Sequence, residues 1–278
     1  MKCHLACIIL TKDNPVELHS TLESVLAQRF SQNHTIHVVE SWVDVKIVTE
    51  ITNHFLTLFQ KKCQNVVIHR IWPPCGIFAS MNKSLEILKK KFSGTSELIF
   101  MNSGDRFLKP NSLDNLFIYK KQVEEKYGIV LPAVFGRAKI VASPSLSWMM
   151  PDEKIRNIVK WLRHFNPNHQ SVLFDATWSY DNHYNLKNIL VADRKVMKDA
   201  FLGYEDKVFV NQLISEFHLT GYSSKLPDWG EFKQRFNEPD RSFFSKIGEF
   251  TKFLIPQPFC FIYPYLMYIR SKFISCFF

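Results

Sequence analysis

The residues best placed to do chemistry are those of Leu98-Ile99-Phe100-Met101-Asn102-Ser103-Gly104-Asp105, an apolar run that stops in a short polar turn carrying one carboxylate. In an α/β protein, ligands settle at the carboxyl ends of strands, and a lone Asp there suits a divalent cation bridging phosphates. That chemistry belongs to enzymes that use nucleotides. Asn, Ser, Gly and Asp are also ordinary turn residues, so the turn has to be weighed together with the elements around it.

Those elements alternate. Leu5 to Leu10 reads as a fully buried strand, stopped by Thr11-Lys12-Asp13-Asn14-Pro15 before a helical pattern from Val16 to Gln28. A second strand, Thr35 to Glu40, a helix around Val48 to Lys61 and a third strand, Val66 to Ile71, follow. Gly76-Ile77-Phe78-Ala79-Ser80-Met81-Asn82 opens a helix to about Lys91, and Glu97 to Phe100 is the strand that delivers the polar turn. Beyond it, Ser112 to Tyr127 is helical, Leu131 to Ala142 is strand-like with a Gly break, and Ala142 to Met150, with its Ser-Pro-Ser, reads as a loop. Buried strands alternating with helices predict an α/β fold, a mostly parallel sheet flanked by helices.

The 278 residues, 46% of them hydrophobic, are enough for one substantial core. A formal net charge of +9 with 25 Phe, 6 Trp and 9 Tyr fits an anionic partner: a nucleotide, an acidic membrane surface or a nucleic acid. The basic residues are spread along the chain without a recognised nucleic-acid motif, so no nucleic-acid partner is expected. No G-x-G-x-x-G follows the first strand and no G-x-x-x-x-G-K-[ST] exists, which argues against a dehydrogenase or a P-loop kinase. The six cysteines form no C-x-x-C pair, and the opening Met1-Lys2-Cys3-His4 leads straight into a run too short for a signal-peptide core. A cytoplasmic setting is the simplest expectation.

The chain divides by composition at about residue 240. Residues 1–240 carry the alternating pattern, whereas 241–278 form a basic aromatic segment in which Phe253 to Ile269 is uncharged and flanked by Lys246, Lys252, Arg270 and Lys272. Its three prolines disfavour a regular spanning helix, so an anchor at the membrane interface is expected, with an arm packed on the core as the alternative.

Read in order, the strand ends form a wider pattern. Ile8 to Asn14 followed by Thr21 to Gln28, then Gly76 to Ser84, Asn102-Ser103-Gly104-Asp105, Asn168 to Phe174 and Val191-Ala192-Asp193-Arg194 resemble the successive blocks of family-two inverting glycosyltransferases. The subgroup resembled is that of colanic-acid and capsular polysaccharide biosynthesis. The resemblance covers about residues 5 to 215 and implies the GT-A fold. It also implies transfer of a sugar from a nucleotide-diphosphate donor, UDP-linked by expectation, to a lipid-linked or polysaccharide acceptor at the cytoplasmic face of the membrane.

The resemblance gives the residues roles. Asp105 would hold Mg²⁺ or Mn²⁺ between phosphate oxygens, offsetting the charge that develops on the leaving diphosphate. Ser103, where many relatives carry a second acid, would reach the ribose or a metal-bound water. Thr11, Asp13 and Glu40 fall where the nucleoside is contacted, and a carboxylate at Glu40 can accept from a ribose hydroxyl or a uracil N–H. Asn82 joins these as a donor-binding residue. Asp193 is the expected base for the incoming hydroxyl, with Asp181 as second choice; as plain structure Asp193 would be a helix cap. His169 and Gln170 would line the acceptor or the diphosphate side, His169 counting with the catalytic residues.

Departures keep a second reading open. Glu40-Ser41-Trp42-Val43-Asp44 lacks the Gly-rich turn of relatives, Ala79 stands where they often carry Asp, and Met81 stands near where other subgroups carry Arg. The alternative is a noncatalytic nucleotide-sugar or glycan-binding protein built on the same fold.

Overall fold

The computed structural model describes residues 4–12, 15–41, 57, 66–71, 75–187, 192–219 and 263–275. Among the described residues nine strands form one sheet: β1 (His4–Lys12), β2 (Asn33–Ser41), β3 (Val66–Ile71), β4 (Glu97–Asn102), β5 (Arg106–Phe107), β6 (Ala133–Ser143), β7 (Leu146–Met150), β8 (Val172–Asp175) and β9 (Phe209–His218). The order is β3-β2-β1-β4-β8-β6-β9-β5, with β7 paired to β6 outside that path. The helices among the described residues are α1 (Pro15–Leu26), α2 (Ile77–Lys91), α3 (Ser112–Tyr127), α4 (Ile158–Leu162), α5 (Ala176–Asp181), α6 (Ala192–Phe201) and α7 (Tyr263–Ser275).

The first half of the sheet is parallel, as the alternation predicts. Leu5 to Leu10 is buried between β2 and β4, and only a strand covered on both faces tolerates so continuous an apolar run. The register aligns Thr11 with Glu40 and Leu10 with Asn102, so three strands end on one edge. Past β4 the sheet turns mixed: β8 runs antiparallel to β4 and to β6, β7 is antiparallel to β6, and β9 lies parallel to β6 and antiparallel to β5.

Two local expectations are corrected. The segment expected as a loop, Ala142 to Met150, contains β7, whose Leu146 and Trp148 alternate into a small apolar cluster with Ala138 and Ile140 while Ser147 faces out. Gly136 does not break β6. A Cβ there would collide with the Ile214 side chain and lie 2.8 Å from the Gln212 carbonyl oxygen, so glycine allows β9 its close approach, and the register shifts at that point. The expected helix around Val48 to Lys61 falls, apart from Thr57, outside the described residues, as do Trp42 and the boundary near residue 240.

At the start of β4 a buried ionic group ties α3 to the sheet. Lys120 Nζ, fully buried, lies 2.7 Å from Glu124 and 3.0 Å from Glu97. The other end of β4 is left for chemistry.

Candidate functional site

Asp105 follows the carboxyl end of β4 and is almost completely buried. Its Oδ1 accepts the His218 backbone N–H at 3.3 Å, and its own N–H donates to the Asn102 carbonyl at 3.1 Å. Asp105 Oδ2 and Asn102 Oδ1 are buried with no hydrogen-bond partner among the described residues. Burial pushes the Asp105 carboxyl up to about 8, further raised by the Glu17 charge and opposed by hydrogen bonds from the His218 and Asn102 groups.

The turn is shaped from behind by α1. Thr21 Oγ1 accepts the Gly104 N–H at 2.9 Å and donates to the Glu17 carbonyl, Ser24 Oγ accepts the Phe107 N–H at 3.2 Å, and the Ser103 N–H donates to the Leu10 carbonyl at 2.9 Å. Gln28 continues the brace, donating to the Lys109 carbonyl at 2.8 Å and accepting the Leu113 N–H at 3.1 Å. Gly104 has φ +97°, and a Cβ there would press on the Glu17 carboxyl at 3.3 Å, so the turn needs glycine.

On the same edge, Thr11 is buried beside Glu40 in register. Glu40 is fully buried, and Arg70 of β3 approaches it with Nε at 3.5 Å. Asp13 lies outside the described residues. Ser103 is half-buried in the turn, and Met81 belongs to the core.

A second cluster forms around Tyr184, which sequence reasoning did not single out. Both ends of the Asn82 amide bond its backbone, Oδ1 accepting the Tyr184 N–H and Nδ2 donating to its carbonyl, each at 2.9 Å. The Tyr184 hydroxyl lies 2.6 Å from His169 Nε2. His169 sits in a 3-10 turn (His169–Ser171) opened by Asn168, whose side chain accepts the Gln170 N–H, and both His169 and Gln170 are buried. Phe100, Phe174 and Tyr184 surround the imidazole at ring distances of 5.4, 5.5 and 5.7 Å. Burial drives its pKa down to about 4, leaving the ring neutral. The Tyr184 phenol is pushed the other way, by burial and by the negative charge of Asp193.

Asp193 stands half-buried in the first turn of α6 and accepts the Arg194 N–H at 2.7 Å. Asn82 and His169, expected separately, therefore meet at Tyr184, whose phenol also feels the Asp193 charge. Asp181, the second-choice base, is exposed and paired with Lys89 at 3.1 Å. The two clusters share β4: Phe100, which packs on His169, and Asn102 project from one face of the strand. His218 gave no sequence signal, since β9 joins the site only through pairing with β5 and β6.

No family model matches the sequence, and no curated protein matches it. Solved structures do. S. aureus TarS has a TM-score of 0.58 at 11% identity over 91% of this chain and 43% of that one, so the chain spans less than half its length. TarS 1–349 in complex with UDP gives 0.58 and 12% identity over 91% and 71%. The mannosyltransferase PcManGT from Pyrobaculum calidifontis, in complex with GDP-Man and Mn²⁺, gives 0.52 and 11% over 99% and 74%. At such identities the likeness is one of fold, and the fold is GT-A, as expected from the sequence.

Proposed function

We propose that the protein is an inverting glycosyltransferase that moves a sugar from a nucleotide-diphosphate donor, UDP-linked in our reading, to a lipid-linked or polysaccharide acceptor in surface polysaccharide biosynthesis. The observation that carries it is the pair of buried, unpartnered oxygens, Asp105 Oδ2 and Asn102 Oδ1, at the end of β4. Hard oxygen donors at a strand edge suit Mg²⁺ or Mn²⁺. Among the described residues no group of three or more His, Cys, Asp or Glu side chains could hold a metal, so the fit requires donor phosphate oxygens to complete it. A cation held there supplies neutralisation of the departing diphosphate. Neighbours of the same fold in complex with UDP, or with GDP-Man and Mn²⁺, support the reading.

In the proposed reaction the acceptor oxygen attacks the anomeric carbon opposite the diphosphate. The carbon–oxygen bond to the diphosphate breaks, the hydroxyl proton passes to the Asp193 carboxylate, and the configuration inverts. Thr11, Asp13, Glu40, Ser103 and Gln170 would contact the donor, and Asn82 would act by holding Tyr184.

The C-terminal segment would bring the enzyme to the cytoplasmic membrane face. Tyr265, Leu266 and Ile269 of α7 are exposed, while Tyr268 packs on Trp148 and Lys272 bonds Asp152 at 2.7 Å. Among the described residues no helix is long and apolar enough to cross a membrane, which fits contact at the interface.

Calorimetric titration with UDP, with and without Mn²⁺, followed by a hydrolysis screen over UDP-sugars, tests the function. Metal-dependent binding abolished by Asp105→Ala, with turnover of one sugar lowered about 100-fold or more in folded Asp193→Asn, is the expected result. Absence of binding to UDP, GDP and dTDP would overturn it. Binding without turnover would move the protein to the noncatalytic reading.

A further inference from the structure

We propose that the cleft around Arg137 is a subsite for a singly charged oxyanion carried by the acceptor: the carboxylate of an acidic sugar or the phosphodiester of a charged glycan chain. Calling the ligand an acceptor rests on the transferase reading; its charge and the place where it binds rest on the cleft itself.

The cleft measures about 410 Å³, within the range of small-ligand pockets, and opens among β6, β7, β9 and the residues after β5. Arg137 is 4% exposed and is held on three sides. Its Nε donates to Asn211 Oδ1 at 2.8 Å, Nη1 donates to the carbonyls of Pro151 and Asp152, and the Phe209 ring centroid lies 5.2 Å from the guanidinium carbon. Nη2 bonds nothing among the described residues and is not sealed off from solvent, so its two N–H groups remain for a ligand.

Those bonds position the guanidinium without neutralising it. Every acceptor it meets is an uncharged amide or carbonyl oxygen, and no carboxylate among the described residues comes within ion-pair distance. Asp152, whose carbonyl it bonds, turns its carboxylate to Lys272 at 2.7 Å and to the Lys154 N–H at 3.0 Å. Burial pulls the Arg137 pKa below its ordinary value, opposed by the more distant charges of Glu153 and Asp152. A buried cation in that state is incomplete, and a bound oxyanion completes it. Asn211 is the telling residue. An aspartate of the same shape would keep the bond to Nε and supply the missing charge, so the amide leaves the guanidinium positioned and available.

Charge and shape narrow the ligand. Lys109 and Glu153 also line the cleft, so two cations face one carboxylate and the surplus is a single positive charge. A phosphate monoester carries more than that; a carboxylate or a phosphodiester matches it. Met149 and Leu213 supply apolar wall for the C–H face of a sugar, and Glu153 offers an acceptor for its hydroxyls. Lys109 follows Asp105 by four residues, which sets their Cα atoms no more than about 14 Å apart. Strand β9 likewise runs from Asn211 in the cleft to His218 on Asp105. An oligomeric acceptor seated at Arg137 can therefore extend to the proposed donor site.

The test is an NMR titration of the full-length labelled chain, without nucleotide, reading the Arg137 Nε–H signal against methyl glucuronide, bis(glycerol) phosphate and, as the uncharged match, methyl glucoside. At least one of the anions is expected to shift that signal saturably while the glucoside does not; glucuronide alone names an acidic sugar, the diester alone a phosphodiester. Asn211→Asp, which keeps the bond to Arg137, should weaken the anion about tenfold or more while the melting temperature holds or rises, and Lys109→Ala should weaken it about two- to fivefold. A role for Arg137 in structure alone predicts neither loss. Absence of binding by both anions, equal binding of the glucoside, or wild-type affinity in Asn211→Asp overturns the inference. Should Asn211→Asp not fold, wild-type affinity in Lys109→Ala overturns it instead. Displacement of bound UDP by the anion would put it in the donor site and also overturn it. A chain that takes up the anion but binds no nucleotide sinks the transferase reading and leaves the oxyanion subsite standing.

Discussion

At the scale of single residues, Asp105 has the sharpest consequence. With its carboxyl pushed up to about 8, the metal-free protein carries a proton there at pH 7, which a cation bound as proposed would have to displace. With the nucleotide donor present to complete the site, apparent Mg²⁺ affinity should therefore rise about tenfold per pH unit from pH 6 to 7.5 and level near 8, with the Asp105 proton released on binding in calorimetry run in two buffers. A flat profile would remove Asp105 from the ligand set. The stability linkage has the matching sign. Unfolded, the group ionises near 3.8; folded, near 8, so metal-free stability falls as pH rises between those values, and Asp105→Asn should abolish that fall. The positions of Asp105, Thr11 and Glu40 at strand ends were legible in the sequence because each ends an apolar run. Tyr184 and His218 were not, because they enter through tertiary contacts between residues far apart in the chain, as the partners of His169 and Asp105 show.

At the scale of elements, the polar face of α1 decides the shape of the turn that carries Asp105. Thr21 and Ser24, three apart, lie on one side of the helix, and Gln28, two residues past its end, continues the line toward the segment from Gly104 to Leu113. Thr21→Val keeps the volume and removes the nearer acceptor of the Gly104 N–H, leaving it the Glu17 carbonyl at 3.3 Å. A loss of about 1–3 kcal/mol in a urea titration, with weaker Mg²⁺ binding and an unaltered circular dichroism spectrum, is expected. Weakened metal binding without any loss of stability would contradict this account. Most elements of the parallel half were readable from periodicity, since a strand buried on both faces announces itself in any order of partners. The mixed half was not. Ser143-Pro144-Ser145 reads as a loop although it only turns β6 into β7, and Gly136 reads as a break although its cause, Ile214, lies on another strand.

At the scale of the whole molecule, one face of α7 grips β7 while Tyr265, Leu266 and Ile269 face away. Replacing those three with serine should reduce partition onto anionic lipid vesicles by about tenfold or more and leave the melting temperature within a few degrees, because none of them is in the core. Equal partition of the variant would dismiss the anchor. The sheet also fixes an order of events on the ribosome. The parallel half ends at β4, whose outer edge stays unpaired until β8 emerges some seventy residues later, and Asp105 gains its His218 contact only with the last strand of the sheet. The nascent chain therefore exposes an apolar strand edge for several seconds at ordinary rates of synthesis, a period in which a chaperone has something to hold. On the proposed reading, Asp105 is fully braced to hold a cation only once residue 218 has been translated.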